Sequence, residues 1–142
     1  MSEVPMEDCI FCKIAAQQLP SAKVYEDEQF SVFMDINPVG KGHCLLIPKT
    51  HHEDVFTIPE DLLRDLIVVA KRLAKAIKTG MNADGMYIWQ ANGRAAGQLI
   101  PHYHMHFLPR WEDDKLTIGS WEPVAGNMDE IQAVAEEIKK GF

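Results

Sequence analysis

Apolar residues recur along this chain with two different periods. Between Asp61 and Lys78, the side chains of Leu62, Leu63, Leu66, Ile67, Val69, Ala70, Leu73, Ala74 and Ile77 fall at i, i+3 and i+4, the period of a helix with one buried face. Lysine and arginine gather toward its end, where positive charge suits the helix dipole, and Gly80 is expected just past that end. Thr57-Ile58-Pro59-Glu60 resembles a capping box, with Thr57 as the N-cap and Glu60 three residues on. Elsewhere the apolar runs are short. Lys23 to Glu26 and Phe30 to Asp35 read as a hairpin turning at Asp27-Glu28-Gln29, His43 to Pro48 as a third strand, Gly85 to Gln90 as a fourth and His102 to Arg110 as a fifth. Asn37 to Gly42 reads as a loop, and residues 9 to 18 as a short helix or turn. A last helix is expected from Met128 to Lys140, with Ile131, Val134, Ala135 and Ile138 on one face. Strands joined by short loops, with one long helix inserted, predict an α+β fold on a five-stranded antiparallel sheet. No repeat or linker divides the chain, so 1–142 reads as a single domain with its core in 9–110 and a C-terminal segment and helix in 111–142.

The fifth strand carries the most chemistry. His102, His104 and His106 stand at every second position, with Tyr103, Met105 and Phe107 between and after them. A strand has a side-chain period of two, so the three imidazoles are expected on one face and the large apolar residues on the other, in the core. Imidazole titrates near neutral pH, ligates metals and attacks electrophiles. Three of them aligned on one rigid element mark a site more readily than a packing solution.

Two further groups of residues bear on that site. Cys9-Ile10-Phe11-Cys12 is a C-x-x-C knuckle, a spacing that lets two thiolates grip one metal. His51 and His102 are plausible further ligands, and a Cys2His2 set would be closed and therefore structural, with no position for water. The same spacing also serves redox motifs, though the strand-then-helix context they require is lacking, and two buried free cysteines are a third reading. Cys44 lies within a strand and reads as a small core residue. The loop Asn92-Gly93-Arg94-Ala95-Ala96-Gly97-Gln98 runs directly into the histidines, and its glycines would let backbone N–H groups approach an anion. Asp35, at the end of the second strand, reads either as a solvated strand end or as an acceptor for paired hydroxyls such as those of a ribose.

Composition changes the picture in three ways. A net charge of −7 argues against a nonspecific grip on nucleic acid, which needs a basic face, while leaving room for small phosphorylated ligands held by backbone N–H groups. The first residues carry acids and no long apolar run, so neither a signal peptide nor a membrane anchor is expected. Three cysteines, an odd number, suggest reduced thiols and a cytoplasmic setting.

The run Gly97-Gln98-Leu99-Ile100-Pro101-His102-Tyr103-His104-Met105-His106 resembles the signature of the histidine-triad family of nucleotide hydrolases and transferases, in which three histidines alternate with apolar residues. Cys9 to Ile14, Phe33 to Pro38, Ile47 to His51 and the loop from Asn92 to Gln98 resemble the family too, in the same order along the chain. The resemblance implies that His104 is the nucleophile, forming a nucleotidyl-histidine that water hydrolyses to a nucleoside monophosphate. It implies that His106 contacts phosphate oxygens, that Gln98 and the backbone of Gly97 hold the phosphate or leaving group, and that Asn92 lies near phosphate and sugar. Asp35 would accept from the ribose, and apolar residues around Phe11, Phe33 and Ile36 would sandwich a purine base. A structural zinc is implied at Cys9, Cys12, His51 and His102, as is a homodimer whose two five-stranded sheets join into one of ten.

The resemblance leaves the substrate open between a nucleoside phosphoramidate and a dinucleoside polyphosphate. Two other readings compete with it. The three histidines could hold an open zinc that activates water, or the chain could bind nucleotides without turning them over. Leu99 stands where some branches of the family carry Ser or Thr, so leaving-group handling is expected to differ. The segment from Trp111 to Gly126, with Trp121, is expected on the leaving-group side or at the dimer.

Overall fold

A computed structural model describes residues 8–117 and 123–142. Trp121 lies outside these residues, as does the start of the chain up to residue 7. Five strands form one antiparallel sheet: β1 (Lys23–Glu26), β2 (Phe30–Met34), β3 (Cys44–Pro48), β4 (Gly85–Trp89) and β5 (Met105–Arg110), in the order β1-β2-β3-β5-β4. Among the described residues three α-helices accompany them: α1 (Ile10–Ala15), α2 (Glu60–Met81) and α3 (Met128–Lys139). The α+β class and the five-stranded antiparallel sheet expected from the sequence are therefore what the chain forms, with strand ends within about a residue of those read from the pattern, except at the start of β5.

The sheet separates two apolar layers. On one side Phe30, Val32, Cys44, Leu46, Met105 and Phe107 pack with Tyr103 against Leu66, Val69, Ala70, Leu73 and Ile77 of α2. On the other, Phe33, Leu45 and Ile47 meet Cys9, Phe11 and Ile14 in and beside α1. The alternation of Tyr103, Met105 and Phe107 with the histidines thus works as expected. The strand itself does not. Regular pairing begins at Met105, and His102 to His104 form an irregular approach. The N–H of Tyr103 goes to the carbonyl of His52, a loop residue, and that of His102 to Ile100. Pro101 lacks an N–H to offer a ladder, so the segment leaves the sheet while keeping its alternation.

Both expected signals around α2 are corrected. Pro59 is the N-cap and makes no side-chain capping bond. Thr57 instead closes a turn with Asp54, whose carboxylate accepts the Phe56 N–H. At the other end Gly80 lies inside the helix, and Asn82 takes the left-handed conformation, φ 49°, with its N–H on Lys78 and Thr79 carbonyls. Asn tolerates that region because its short polar side chain relieves the strain locally.

Gly42 introduces the third strand at φ +88°, and a Cβ added there would sit 2.6 Å from Cγ of Pro109. Gly42→Ala is expected to destabilise the chain by about 2 kcal/mol, through the left-handed backbone and the clash together. A urea midpoint unchanged from wild type would contradict this.

Candidate active site

The site lies on the α1 side of the sheet, and strand register builds it. Leu45 pairs with His106 and Trp89 pairs with His106 from the other side. With a period of two, His43 shares the face of Leu45 and Ile47. Three strands thus deliver His43, His106 and Trp89 to one place, and the segment entering β5 adds His104 beside His106, ring centroids 4.8 Å apart. His43 was not singled out by sequence reasoning. The signal was present: it stands two residues before Leu45, at the mouth of a strand.

Hydrogen bonds assign the imidazole tautomers. Nδ1 of His104 lies 2.7 Å from the carbonyl of His102. A carbonyl only accepts, so Nδ1 carries the proton and Nε2 keeps a free lone pair. The Val39 N–H donates to Nδ1 of His43 at 3.1 Å, which puts the His43 proton on Nε2. That proton is donated to Nδ1 of His106 at 2.9 Å. His106 must then carry its own proton on Nε2. One imidazole is left as a base and nucleophile, and its neighbour as a donor.

Electrostatics keep these rings neutral at pH 7. Burial pushes His106 down to about 4, helped by the charges of His104 and His43 and opposed by Asp35. Burial lowers His104, against the hydrogen bond to the His102 carbonyl and Asp35, which raise it, while the charge of His43 lowers it further. Burial also lowers His43, opposed by Asp35. The Asp35 carboxylate is 3.7 Å from Nε2 of His43, and its other oxygen accepts the Asn37 N–H. Asp35, His43 and His106 are close enough to ligate a cation. The ring lone pairs of His43 and His106 are already committed to hydrogen bonds, however, which makes this a relay rather than a metal site.

His102 belongs to a different set. Its Nε2 donates to the Pro48 carbonyl at 2.8 Å, leaving Nδ1 to face Cys9 Sγ at 3.4 Å and Cys12 Sγ at 3.5 Å. Nδ1 of His51 lies 3.2 Å from Cys12 Sγ. A tetrahedral zinc, with bonds of about 2.3 Å to sulfur and 2.0 Å to nitrogen, would hold S and N about 3.5 Å apart, so the four donors fit that ion closely. The Pro48 carbonyl is the kind of outer partner that orients a ligating imidazole. Burial and Cys9 push the Cys12 thiol up to about 12, a shift that a divalent ion would reverse by binding the thiolate. Because His102, His104 and His106 face three separate partner sets, they do not converge on one ion. The reading of an open zinc held by all three is overturned.

The loop before the triad is braced internally. Gln98 accepts from the Gly93 N–H and donates to the carbonyls of Glu53 and Ile100, which commits its whole amide to backbone. Oδ1 of Asn92 accepts from the Val55 N–H, tying the two loops together. Gly97 has φ +90° with open space where a Cβ would stand, but its N–H donates to the Arg94 carbonyl at 3.0 Å and that of Gly93 to Gln98, so neither glycine N–H is free for an anion. Phe11 and Phe33 are both buried and pack edge-on at 5.5 Å, with Phe11 also 5.0 Å from His104, and Ile36 is 80% exposed. Phe11 also meets the His102 ring edge-on at 5.9 Å, so it is the ring that touches the histidines.

The sheet thus sets an imidazole with a free Nε2 lone pair between a donor imidazole and a cysteine–histidine knuckle. The family model for the HIT domain matches residues 16–113, and the chain belongs to the HIT family. It is 40% identical over 136 residues to the Hit protein of Bacillus subtilis, covering 94% of each chain. It is 36% identical to an adenosine 5'-monophosphoramidase of Candida albicans, covering 93% of this chain and 90% of that one. A zinc-bound histidine triad family protein from Mycobacterium smegmatis superposes with a TM-score of 0.75 at 33% identity, covering 96% of this chain and 99% of that chain.

Proposed function

We propose that this protein hydrolyses a purine nucleoside phosphoramidate at the α-phosphate through a nucleotidyl-histidine on His104. The observation that carries this reading is the hydrogen bond from Nδ1 of His104 to the His102 carbonyl, which leaves Nε2 as an unprotonated nucleophile. The kinship with an adenosine 5'-monophosphoramidase supports the substrate class.

In the first step Nε2 of His104 forms a bond to phosphorus as the bond from phosphorus to the amine breaks, and the amine leaves with a proton taken from solvent water. In the second, water attacks the same phosphorus and gives up a proton to solvent, the P–N bond to His104 breaks, and the nucleoside monophosphate departs. Nε2–H of His106, held by the His43 relay, donates to a non-bridging oxygen where charge builds up. The open space at Gly97 lets the phosphate come close, Gln98 and Asn92 keep that loop in shape, and Asp35 accepts from the ribose. Cys9, Cys12, His51 and His102 would hold a zinc ion as a structural clamp, outside both steps. The chain acts as a homodimer. β1 and β4 are the free edges of the sheet, the places where five strands can extend to ten.

AMP release from adenosine 5'-phosphoramidate and from diadenosine tetraphosphate tests the proposal. Faster release from the phosphoramidate is expected. Release from diadenosine tetraphosphate alone would move the assignment to dinucleotides. AMP binding with no release from either would leave a nucleotide-binding protein.

A further inference from the structure

Trp89 is the large aromatic beside the reacting imidazoles that the chemistry above does not use. It stands opposite His106 on β4. Its indole lies parallel to the His106 ring, with centroids 4.4 Å apart and an interplanar angle of 2°. The neighbouring ring pairs meet at 38° or more: His43 with Trp89, His43 with His106, Tyr87 with Trp89, and His104 with His106. The flat pair therefore stands out from a cluster whose other contacts are tilted.

The geometry matters for what His106 must do. Its Nδ1 is fixed by one hydrogen bond from His43, and a single bond leaves the ring plane free to swing. A stacked ring fixes the plane. Together the two constraints aim Nε2–H. The indole face is also electron-rich and attracts a cation lying over it more strongly than any other side-chain ring does. The titratable groups facing His106 are His104 from the same segment, His43 from β3 and Asp35 at the end of β2, while β4 contributes Trp89 and Tyr87. Two imidazoles oppose a positive charge there, and one carboxylate and one indole favour it.

We propose that Trp89 is the positioning residue of His106, holding the imidazole plane so that Nε2–H meets the phosphate and favouring positive charge on that ring. The functional half of this rests on the reading of His106 as phosphate donor. The titration half does not.

The test compares wild type, Trp89→Phe and Trp89→Leu in the full chain. The pKa of His106 is read by NMR of its ring carbons, and kcat and KM are read on the phosphoramidate. The pKa is expected to fall in the order Trp, Phe, Leu, by about half a unit overall. kcat is expected to fall roughly tenfold in Trp89→Leu, with KM little changed and most of the loss recovered in Trp89→Phe. A pKa that rises as the ring is cut back would mean that water entry governs the site, and an unchanged pKa would mean that stacking is incidental; either overturns the proposal. If wild type turns over no phosphoramidate, the hydrolase reading fails, and the order of pKa values still decides whether Trp89 acts on His106. If Trp89→Leu does not fold, the Trp to Phe step carries the same test.

Discussion

His104→Ala is expected to abolish the covalent nucleotide adduct and to lower AMP release by roughly 10⁴-fold or more, the scale on which removing a nucleophile acts. No neighbour can replace it. His102 has its Nε2 proton on the Pro48 carbonyl and its Nδ1 among the sulfurs. His106 has its lone pair occupied by the His43 proton. His106→Ala should behave differently: the adduct still forms, but more slowly, by about 10² to 10³, because a donor is lost and not the attacking atom. The adduct is read by intact mass after an alkaline quench, since the P–N bond is acid-labile. His104→Gly with added imidazole should recover part of the turnover, because the cavity left is the size of the missing ring. An adduct that survives in His104→Ala, or turnover equal to wild type, would remove His104 from the reaction.

The sequence carried the outline of this site because alternation is a local property. A period of two placed His102, His104 and His106 opposite Tyr103, Met105 and Phe107, and it did so even where the ladder is absent, since an extended segment alternates whether or not it is paired. The same logic made the C-x-x-C knuckle legible, and its four proposed ligand residues come together. What the sequence did not carry is register. His43 and Trp89 join His106 only because Leu45 and Trp89 both pair with it, and such pairings between strands far apart in the chain are set by the whole sheet. The start of β5 was misread for a related reason. The Tyr103 N–H has a competing acceptor in the His52 carbonyl, a loop contact that no local pattern announces. Around α2 the capping signals were plausible but outcompeted: Thr57 is spent on the Asp54 turn, and Asn82 supplies the left-handed cap that Gly80 would otherwise have provided.

Loss of the proposed zinc should have the second large effect, on stability first and turnover second. α1 has six residues, too few to hold as a helix by itself. What fixes it is the cluster beneath the sheet and the knuckle at its start. Cys9 is the N-cap of α1, accepting the Cys12 N–H, and both sulfurs face His102 and His51. A metal there ties the helix to the end of β3 and to the entry of β5 at once. Phe11, carried by the same helix, lies against His104, so loosening α1 releases the support of the nucleophile. Cys9→Ser is expected to lower zinc content far below one ion per chain and to cost about 3 kcal/mol of stability, read by metal analysis and urea unfolding. A structural ion predicts that the fraction that stays folded after chelation still forms the His104 adduct, a result that separates this role from a metal that activates water. Should the serine variant fail to fold, cobalt substitution in the wild type serves instead: the knuckle predicts a thiolate-to-cobalt charge-transfer band in the near ultraviolet, at one ion per chain. Wild-type protein that binds neither zinc nor cobalt through sulfur, and gains no stability from either, would leave Cys9 and Cys12 as ordinary buried thiols.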